Sequence, residues 1–308
     1  MSDDQGQQQK NILVTGATGF IGMALLSALR TDGWQITALV RDYARARTQL
    51  GPEVRLVRSL TELGVDTRIE VIINLAGEGI AAQRWSKTRK KQLLDSRLQT
   101  TREVVQLIQR LHHKPLQLLS ASATGFYGDR GDVPLTEESS SGEGFSHELC
   151  KRWEQASRKA EAEGVPVTLL RFGVVLGAEG GMLARLLPVY RLGLGGRIGN
   201  GRQYLSWIHR DDAVAAILWL LHNPLPGIVN VTAPGAVTNQ EFSRQLATQL
   251  KRPAVFTQPA FVVRALFGEM GQELLLGGSN VVPERLLHHG FSYQYPEIES
   301  ALAAELRP

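Results

Sequence analysis

The chain has 308 residues, of which 43% are hydrophobic and 21% charged, and its formal net charge is +4. This composition is typical of a globular protein with room for one large α/β domain and a smaller appendage. The basic residues are scattered, and the densest run, at residues 87–91, opens a helical pattern without interleaved aromatic side chains, which argues against a nucleic-acid partner.

A single cysteine, Cys150, excludes an internal disulfide and a cysteine-based metal site, which fits a reducing compartment. No carboxylate–histidine spacing suggests another kind of metal site. Residues 1–10 are polar, without the apolar core of a signal peptide, and are expected to form a disordered tail. The longest apolar run, residues 213–221, is too short to span a bilayer. We therefore expect a cytoplasmic protein with no metal and no membrane partner.

Short apolar runs alternate with amphipathic stretches in the first half of the chain. NILVT predicts a buried strand, FIGMALLSALRTDG a helix closed by Gly33, and QITALV, VRLV and EVIINLAG three further strands. A long helix over residues 87–111, the strand PLQLLSAS, a helix over residues 146–163 and VPVTLLRFGVVLG, a strand with its exit loop, follow. Strands separated by helices predict an α/β fold, a Rossmann-type doubly wound parallel sheet.

The pattern loosens after residue 177. Residues 195–209 are glycine-rich and predicted to be irregular until a helix begins near Arg210, and GIVNVT predicts one more strand. We predict that residues 11–177 form an NAD(P)-binding Rossmann domain, to which segments around residues 205–235 return. Residues 178–308 are predicted to form mainly a smaller, mixed substrate lobe and a C-terminal helical region, with the binding cleft between the lobes.

Three glycines lie in the turn after the first predicted strand, in TGATGFIG. Gly16 would permit the tight turn, Gly19 the close approach of a pyrophosphate, and Gly22 the packing of helix against strand. Backbone N–H groups at a helix N-terminus bind phosphate, and a side chain there would hold it away. A structural glycine turn is the alternative, but a strand–turn–helix at the start of an alternating chain favours a dinucleotide.

The second predicted strand ends in ALVRD, where a side chain would face the adenosine ribose. An acid at this place binds the 2′-hydroxyl, whereas arginine suits a 2′-phosphate. Arg41 stands at the strand end, with Arg45 and Arg47 just beyond, so the sequence predicts NADP rather than NAD. Asp42 keeps NAD open as the alternative, although it could instead cap the following helix.

TGATGFIG, NLAG, SASATGFYG, LRFGVVLG and WIHRDDAVAAI, in this order, resemble the extended short-chain dehydrogenase/reductase family, which includes NAD-dependent epimerases and dehydratases. RWSKTRKKQLLDSRLQTT, CKRWE and the C-terminal LFGEMGQELLLGGSNVVPERLLHHGF are similar to its subgroup of epimerase family proteins. The resemblance covers nearly the whole chain and implies a Rossmann lobe beside a mixed substrate lobe. It implies that the dinucleotide is lined by Gly16, Thr18, Gly19, Phe20, Ile21, Arg41, Leu75, Ala76 and Gly77, and that Phe172, Gly173 and Val174 lie near the nicotinamide.

The resemblance also implies a catalytic tyrosine followed four residues later by a lysine that lowers the tyrosine pKa. The corresponding helix reads GFSHELCKRWEQA and supplies no tyrosine. Lys151 is preceded four residues earlier by His147. A register set instead by Glu154 puts Ser146 and Cys150 at the two positions. The family's usual catalytic pair is therefore incomplete.

Three substitutes are open. The family's substrate-binding hydroxyl residue is replaced by Ala123, but the adjacent Ser122 could orient a substrate oxygen, or simply bond to backbone at the strand end. Tyr127 could donate a proton at the cleft mouth, or pack over the pocket. His147 and Lys151 share a helix face and could form an acid–base pair, or lie exposed. We take Ser122 and Tyr127 as the catalytic candidates.

The substrate pocket is expected from residues 79–85, 125–129 and 191–207, whose arginines could bind an anionic ligand or lie free at the surface. The partner is therefore expected to be a small molecule. Two functions fit these expectations. One is an NADP-dependent oxidoreductase or epimerase that acts on a carbonyl or nucleotide-sugar-like substrate. The other, suggested by the missing Tyr-x-x-x-Lys, is an NADP(H)-binding sensor or scaffold with little or no turnover.

Overall fold

A computed structural model describes residues 10–306 of the chain. Apart from Lys10, the predicted tail over residues 1–10 lies outside this range. The strands, in chain order, are β1 (Asn11–Thr15), β2 (Gln35–Leu39), β3 (Arg55–Val57), β4 (Val71–Asn74), β5 (Gln117–Ala123), β6 (Pro134–Leu135), β7 (Val167–Phe172), β8 (Val174–Leu176), β9 (Tyr204–Leu205), β10 (Trp207–His209), β11 (Gly227–Val231), β12 (Val237–Thr238) and β13 (Asn280–Val281).

The helices follow the predicted order, with one addition. They are α1 (Phe20–Thr31), α2 (Tyr43–Leu50), α3 (Lys87–Arg110), α4 (Phe145–Ser157), α5 (Gly181–Arg191), α6 (Arg210–His222), α7 (Asn239–Gln249), α8 (Ala260–Gly271), α9 (Glu284–His288) and α10 (Ile298–Leu306). The helix predicted over residues 146–163 is α4 followed by a 3₁₀ segment, Arg158–Glu163. Helix α5 was not predicted, because Pro188 interrupts its pattern.

One parallel sheet of seven strands forms the large lobe, in the order β11-β7-β5-β4-β1-β2-β3. Both faces of this sheet are covered. Ile12 and Val14 of β1 pack into a core shared with α1 and α6, whereas Leu13 packs into a second core shared with α3. Strands buried on both faces need continuous apolar sequence, which is why NILV lacks alternation. The predicted doubly wound α/β fold is confirmed.

The strand order places the functional cleft. The chain leaves β1 toward β2 and β3 on one side and returns to β4, β5 and β7 on the other, so the two directions part between β1 and β4. Ligands of open parallel sheets bind at such a point, beyond the carboxyl ends of the strands. In this sheet those ends include Thr15, Leu39, Asn74, Ala123 and Phe172.

The smaller lobe has its own core and two-stranded pairings β10-β8, β12-β9 and β13-β6. Its buried side chains include Leu183, Leu187, Tyr190, Trp207, Phe242, Leu246, Ala301 and Leu302. Strand β11 pairs with β7 at the edge of the large sheet. The domain boundaries themselves stay a prediction. Among residues 10–306, no helix has both the length and the apolar character needed to cross a membrane.

Glu273 joins the two lobes at the N-terminus of α4. Its carboxylate accepts hydrogen bonds from the backbone N–H groups of Phe145 (2.8 Å) and Ser146 (2.9 Å). These groups have no partner within their own helix, and a negative charge beside them is favourable. Lys90 of α3 adds an ion pair with Glu269 at 2.5 Å. The smaller lobe thus holds the helix on which the family's catalytic pair would lie.

Candidate functional site

The turn between β1 and α1 has no room for side chains at two of its three glycines. A Cβ at Gly16 would lie 2.7 Å from the carbonyl carbon of Leu75, and one at Gly22 would lie 2.3 Å from the carbonyl oxygen of Gly16. Gly16 also has φ +72°, a conformation that favours glycine. At Gly19 a Cβ would meet only the Gly16 oxygen, at 3.1 Å. Gly16 and Gly22 therefore build the turn, and Gly19 leaves open space before the helix.

A buried polar network holds β4 against this turn. The Thr15 hydroxyl donates to the Asn74 side chain (2.7 Å) and accepts from the Ala76 backbone N–H (3.2 Å). The Asn74 amide donates in turn to Thr101 (2.9 Å) and Ser120 (3.1 Å). Buried polar groups whose bonds are all made fix one arrangement. The segment after β4, where the cofactor residues Leu75, Ala76 and Gly77 were predicted, is thus rigidly placed beside the glycine turn.

The end of β2 offers free positive charge. Arg41 and Arg45 are exposed, and their side chains have no hydrogen-bond or ion-pair partner within residues 10–306. Asp42 caps α2, since its carboxylate accepts from the Arg45 backbone N–H at 3.1 Å. Arg47 is used structurally, donating to the carbonyl of Gly51 at 2.7 Å. Arg41 and Arg45 are thus free at this strand end, whereas Asp42, the acid that would favour NAD, caps α2.

Arg58 is an arginine near this strand end that the sequence analysis did not select. It directly follows β3, the neighbour of β2, and its guanidinium lies 5.2 Å from the ring centre of Tyr43. An arginine after the adjacent parallel strand adds to the positive charge at the same edge of the sheet.

Two residues predicted from the resemblance serve mainly to pack the turn. The ring of Phe20 fills the space that Gly177 and Gly180 leave, where added Cβ atoms would lie 2.5 Å from ring carbons. Ile21 packs on the core of the sheet. Their backbone N–H groups, in the first turn of α1, are the parts that would face a phosphate. Thr18 is exposed, with no side-chain partner among the described residues.

The loop after β7 makes a close approach to the smaller lobe. A Cβ at Gly173 would lie 2.7 Å from the carbonyl oxygen of Ser206, and the Val174 N–H donates to that same oxygen at 2.8 Å. Phe172 pairs with Ala123 across β5 and β7. The predicted nicotinamide-side residues therefore lie beside the strand that carries the catalytic candidate Ser122.

Ser122 belongs to a buried charged cluster. Its hydroxyl donates to Glu154 Oε1 at 2.6 Å, and Arg171 binds the same carboxylate in bidentate fashion, with both distances 2.8 Å. All three side chains are at most 5% exposed. Burial lowers the pKa of Arg171, but the hydrogen bond to Glu154, the charge of Glu154 and the contact with Tyr127 together outweigh burial, and the net shift of the pKa is upward. Ser122 therefore holds the partner of a buried arginine.

Tyr127 is fully buried. Its hydroxyl donates to the Asn230 side-chain oxygen at 2.8 Å, and its ring lies 4.9 Å from the Arg171 guanidinium. Burial raises the pKa of Tyr127 above its ordinary value, so the phenol is neutral at neutral pH. This environment favours a packing role. Catalytic roles for Ser122 and Tyr127 stay predictions.

The residues of α4 that stand at the positions of the family's tyrosine and lysine differ in burial and in contacts. Ser146 and Cys150 are buried, and a Cβ at Gly125 would lie 3.1 Å from the Ser146 Cβ. The His147 Nδ1 lies 2.9 Å from the Phe126 carbonyl, which fixes the proton on that nitrogen in the neutral ring. Lys151 is exposed. His147 and Lys151 therefore do not share an environment, which disfavours them as an acid–base pair.

A surface depression of about 520 Å³ borders part of the predicted substrate pocket. It is lined by Asp129, Arg130 and residues 141–144, and includes nothing from the glycine turn. Within residues 10–306, no group of three or more His, Cys, Asp or Glu side chains could hold a metal ion.

A doubly wound sheet with a glycine turn at its switch point defines a dinucleotide-binding protein of the Rossmann class. Residues 12–232 match the model of the NAD dependent epimerase/dehydratase family, and residues 258–305 match a domain of unknown function, DUF1731. The chain belongs to the NAD dependent epimerase/dehydratase family, as the sequence motifs predicted.

Several relatives share nearly the full length of the chain. Epimerase family protein Mb2239 of Mycobacterium bovis is 38% identical over 301 residues, which cover 96% of this chain and 98% of that protein. Epimerase family protein YfhF of Bacillus subtilis is 37% identical over 299 residues, 95% of this chain and 97% of its own. The crystal structure of human epimerase family protein SDR39U1 (isoform 2) with NADPH superimposes with a TM-score of 0.86 at 33% identity, covering 96% and 99% of the two chains.

Two buried arginines were not predicted from the sequence, although the sequence carries a signal for each. Arg171 interrupts the apolar run VTLLRF, and a charge inside a buried strand requires a partner. Arg97 lies four residues after Leu93 and four before Thr101, on the buried stripe of α3. A charge on such a stripe indicates a site rather than a solvated helix face.

Proposed function

We propose that this protein binds NADP(H). The observation that carries the proposal is the turn after β1, where Gly16 and Gly22 close the backbone and Gly19 leaves space before the N-terminus of α1. Free Arg41 and Arg45 at the end of β2 suit a 2′-phosphate, whereas Asp42 is engaged as a helix cap. The NADPH in the human SDR39U1 structure supports the same cofactor.

We further propose that the protein is an NADP(H)-dependent oxidoreductase or epimerase that acts on a small carbonyl or sugar-like compound. NADP(H), when bound, supplies hydride-transfer chemistry, and the protein supplies position and electrostatics. Membership of the NAD dependent epimerase/dehydratase family supports this reaction class. The chain's own residues would exclude water and orient the substrate oxygen near Ser122 and Phe172. A cytoplasmic location stays a prediction.

A second function is favoured by the environment of the candidate acids. Ser122 and Tyr127 are buried and donate to Glu154 and Asn230. Neither register of α4, His147 with Lys151 or Ser146 with Cys150, supplies the usual tyrosine. An NADP(H)-binding sensor or scaffold needs an intact cofactor site and no proton donor. These contacts support that alternative.

Arg41→Asp tests the assignment of the 2′-phosphate. We expect it to weaken NADPH binding by about ten- to a hundredfold, because one charge-assisted hydrogen bond is worth about 1.5–3 kcal/mol, while NADH binding changes little. Titration of NADPH and NADH fluorescence measures both affinities. Arg55→Asp, an exposed arginine at the start of β3, is the matched control and should alter neither. Equal losses for NADPH and NADH in Arg41→Asp would contradict the assignment.

Turnover separates the two functions. Carbonyl compounds are screened by loss of NADPH absorbance, first with the unmodified protein. Nucleotide sugars are screened for the epimerised product by NMR in the presence of NADP⁺, because an epimerase returns its cofactor to the starting redox state in each cycle. Activity that falls at least a hundredfold in Ser122→Ala or Tyr127→Phe, with NADPH affinity retained, would support an enzyme in which that hydroxyl acts. Tight NADPH binding with no turnover in either screen would support the sensor.

A further inference from the structure

The loop that follows β4 lies against an unpaired buried positive charge. Arg97 of α3 is 8% exposed, and its two terminal nitrogens donate to the carbonyls of Leu93 (3.0 Å) and Glu78 (2.9 Å). Its Nε is buried without a hydrogen-bond partner. A Cβ at Gly77 would lie 3.1 Å from the guanidinium carbon, so a side chain there would require the guanidinium to shift. The Arg97 guanidinium is thus in close contact with Gly77, in a segment predicted to line the dinucleotide.

Within residues 10–306, no carboxylate contacts this guanidinium directly. Glu78 acts on the guanidinium at longer range, but its carboxylate forms an ion pair with Arg89. The aromatic face of Trp153 lies 5.0 Å from the Arg97 guanidinium. Burial lowers the pKa of Arg97, but arginine stays charged in proteins. The ion pair between Arg171 and Glu154 cancels its own charge. The buried groups on this side of the cleft therefore carry a net charge of about +1.

Arg97 is connected to the predicted nicotinamide end of the cleft. Its guanidinium lies 5.0 Å from the ring of Trp153 on α4, and the same helix carries Cys150, at the position of the family's lysine in the register set by Glu154. The thiol adds no negative charge, since burial and Glu154 raise the pKa of Cys150 to about 11. Cys150 contacts Ser122 of β5. Ala123, the residue after Ser122, pairs with Phe172 of β7, which is predicted to lie near the nicotinamide.

Resting on the proposed NADP(H) binding, we infer that the site selects the reduced cofactor and that Arg97 is the positioning residue that sets this preference. The oxidised nicotinamide ring carries one more positive charge than the reduced ring. A buried guanidinium without a counter-ion repels that charge through a medium of low dielectric constant, but attracts the phosphates of both forms equally. The protein is therefore built to hold NADPH, which suits a reductase or a sensor of the reduced pool.

The test is the ratio of the dissociation constants of NADP⁺ and NADPH, measured by calorimetry and by NADPH fluorescence. The unmodified protein should bind NADPH on the order of tenfold more tightly, which makes the bound couple about 30 mV more oxidising than the free one. Arg97→Met should bring the ratio close to one, and Arg97→Lys should retain most of it. Arg102→Met, at an exposed arginine of the same helix, should leave the ratio unchanged.

Glu78→Gln is a second test, and its result does not depend on whether Arg97→Met folds. It removes a partly exposed negative charge from the same loop and should raise the ratio, the opposite of Arg97→Met. A loss of packing alone would not lower the ratio of the NADP⁺ and NADPH dissociation constants in Arg97→Met and raise it in Glu78→Gln. An unchanged or lowered ratio in Glu78→Gln, an unchanged ratio in a folded Arg97→Met, or a natural preference for NADP⁺ would overturn the inference. Failure to bind either form would instead refute the proposed function.

Discussion

Gly16→Ala is expected to reduce NADPH binding by more than a hundredfold and to destabilise the fold by about 2–4 kcal/mol. The left-handed backbone at φ +72° costs an alanine about 1–2 kcal/mol. The added methyl group would also overlap backbone atoms of Leu75 and Ala76, at 2.7–2.9 Å, so β4 and the turn must separate. Fluorescence titration with NADPH and urea unfolding measure the two effects.

Gly33→Ala provides a control with the same backbone strain and no overlap. Gly33 has φ +81°, follows α1, and has no atom within 4 Å of an added Cβ. It should lose about 1–2 kcal/mol of stability and bind NADPH normally. If Gly16→Ala and Gly33→Ala bound NADPH equally well, the glycine turn would not be the cofactor site.

The outline of the large lobe could be predicted because local signals and tertiary structure agree there. Runs such as NILVT are continuous in apolar residues since both faces of the parallel sheet are covered. The turn needs glycine because the neighbouring backbone and a bound pyrophosphate approach it closely, as in any dinucleotide-binding turn of this kind. Arg41 could be assigned to the end of the second strand because a run of apolar residues marks that strand, and it is the second residue after β2.

The interior of the cleft could not be predicted, since its contacts join residues distant in sequence. Nothing local shows that Glu154 of α4 receives both Ser122 and Arg171 from neighbouring strands. Counting along a motif identified Ser122 as a candidate acid, whereas only the packing shows that its proton is donated to a buried carboxylate. Helix α5 was missed for a different reason: a helix tolerates Pro188 when tertiary contacts bury its other face.

The Glu154–Arg171 pair yields the largest expected change in stability. Glu154→Leu should lower the free energy of unfolding by about 3–5 kcal/mol, because it leaves a guanidinium buried at 1% exposure without a counter-ion. Arg171→Met should cost a similar amount by stranding the carboxylate. The double variant replaces both charges with apolar side chains and should recover most of the loss. Urea unfolding of the four proteins gives the coupling free energy directly.

An exposed ion pair on the same helix is the matched control. Arg152 and Glu148 are 53% and 44% exposed, so Glu148→Leu should change stability by at most about 0.5 kcal/mol. A Glu154→Leu variant no less stable than Glu148→Leu would show that the buried cluster is not a structural centre. Glu154 would then not be needed to hold Arg171, and the Ser122 hydroxyl could turn toward a substrate oxygen. A large coupling would instead show that Ser122 is fixed by a pair the fold needs, which moves the search for a proton donor elsewhere in the cleft.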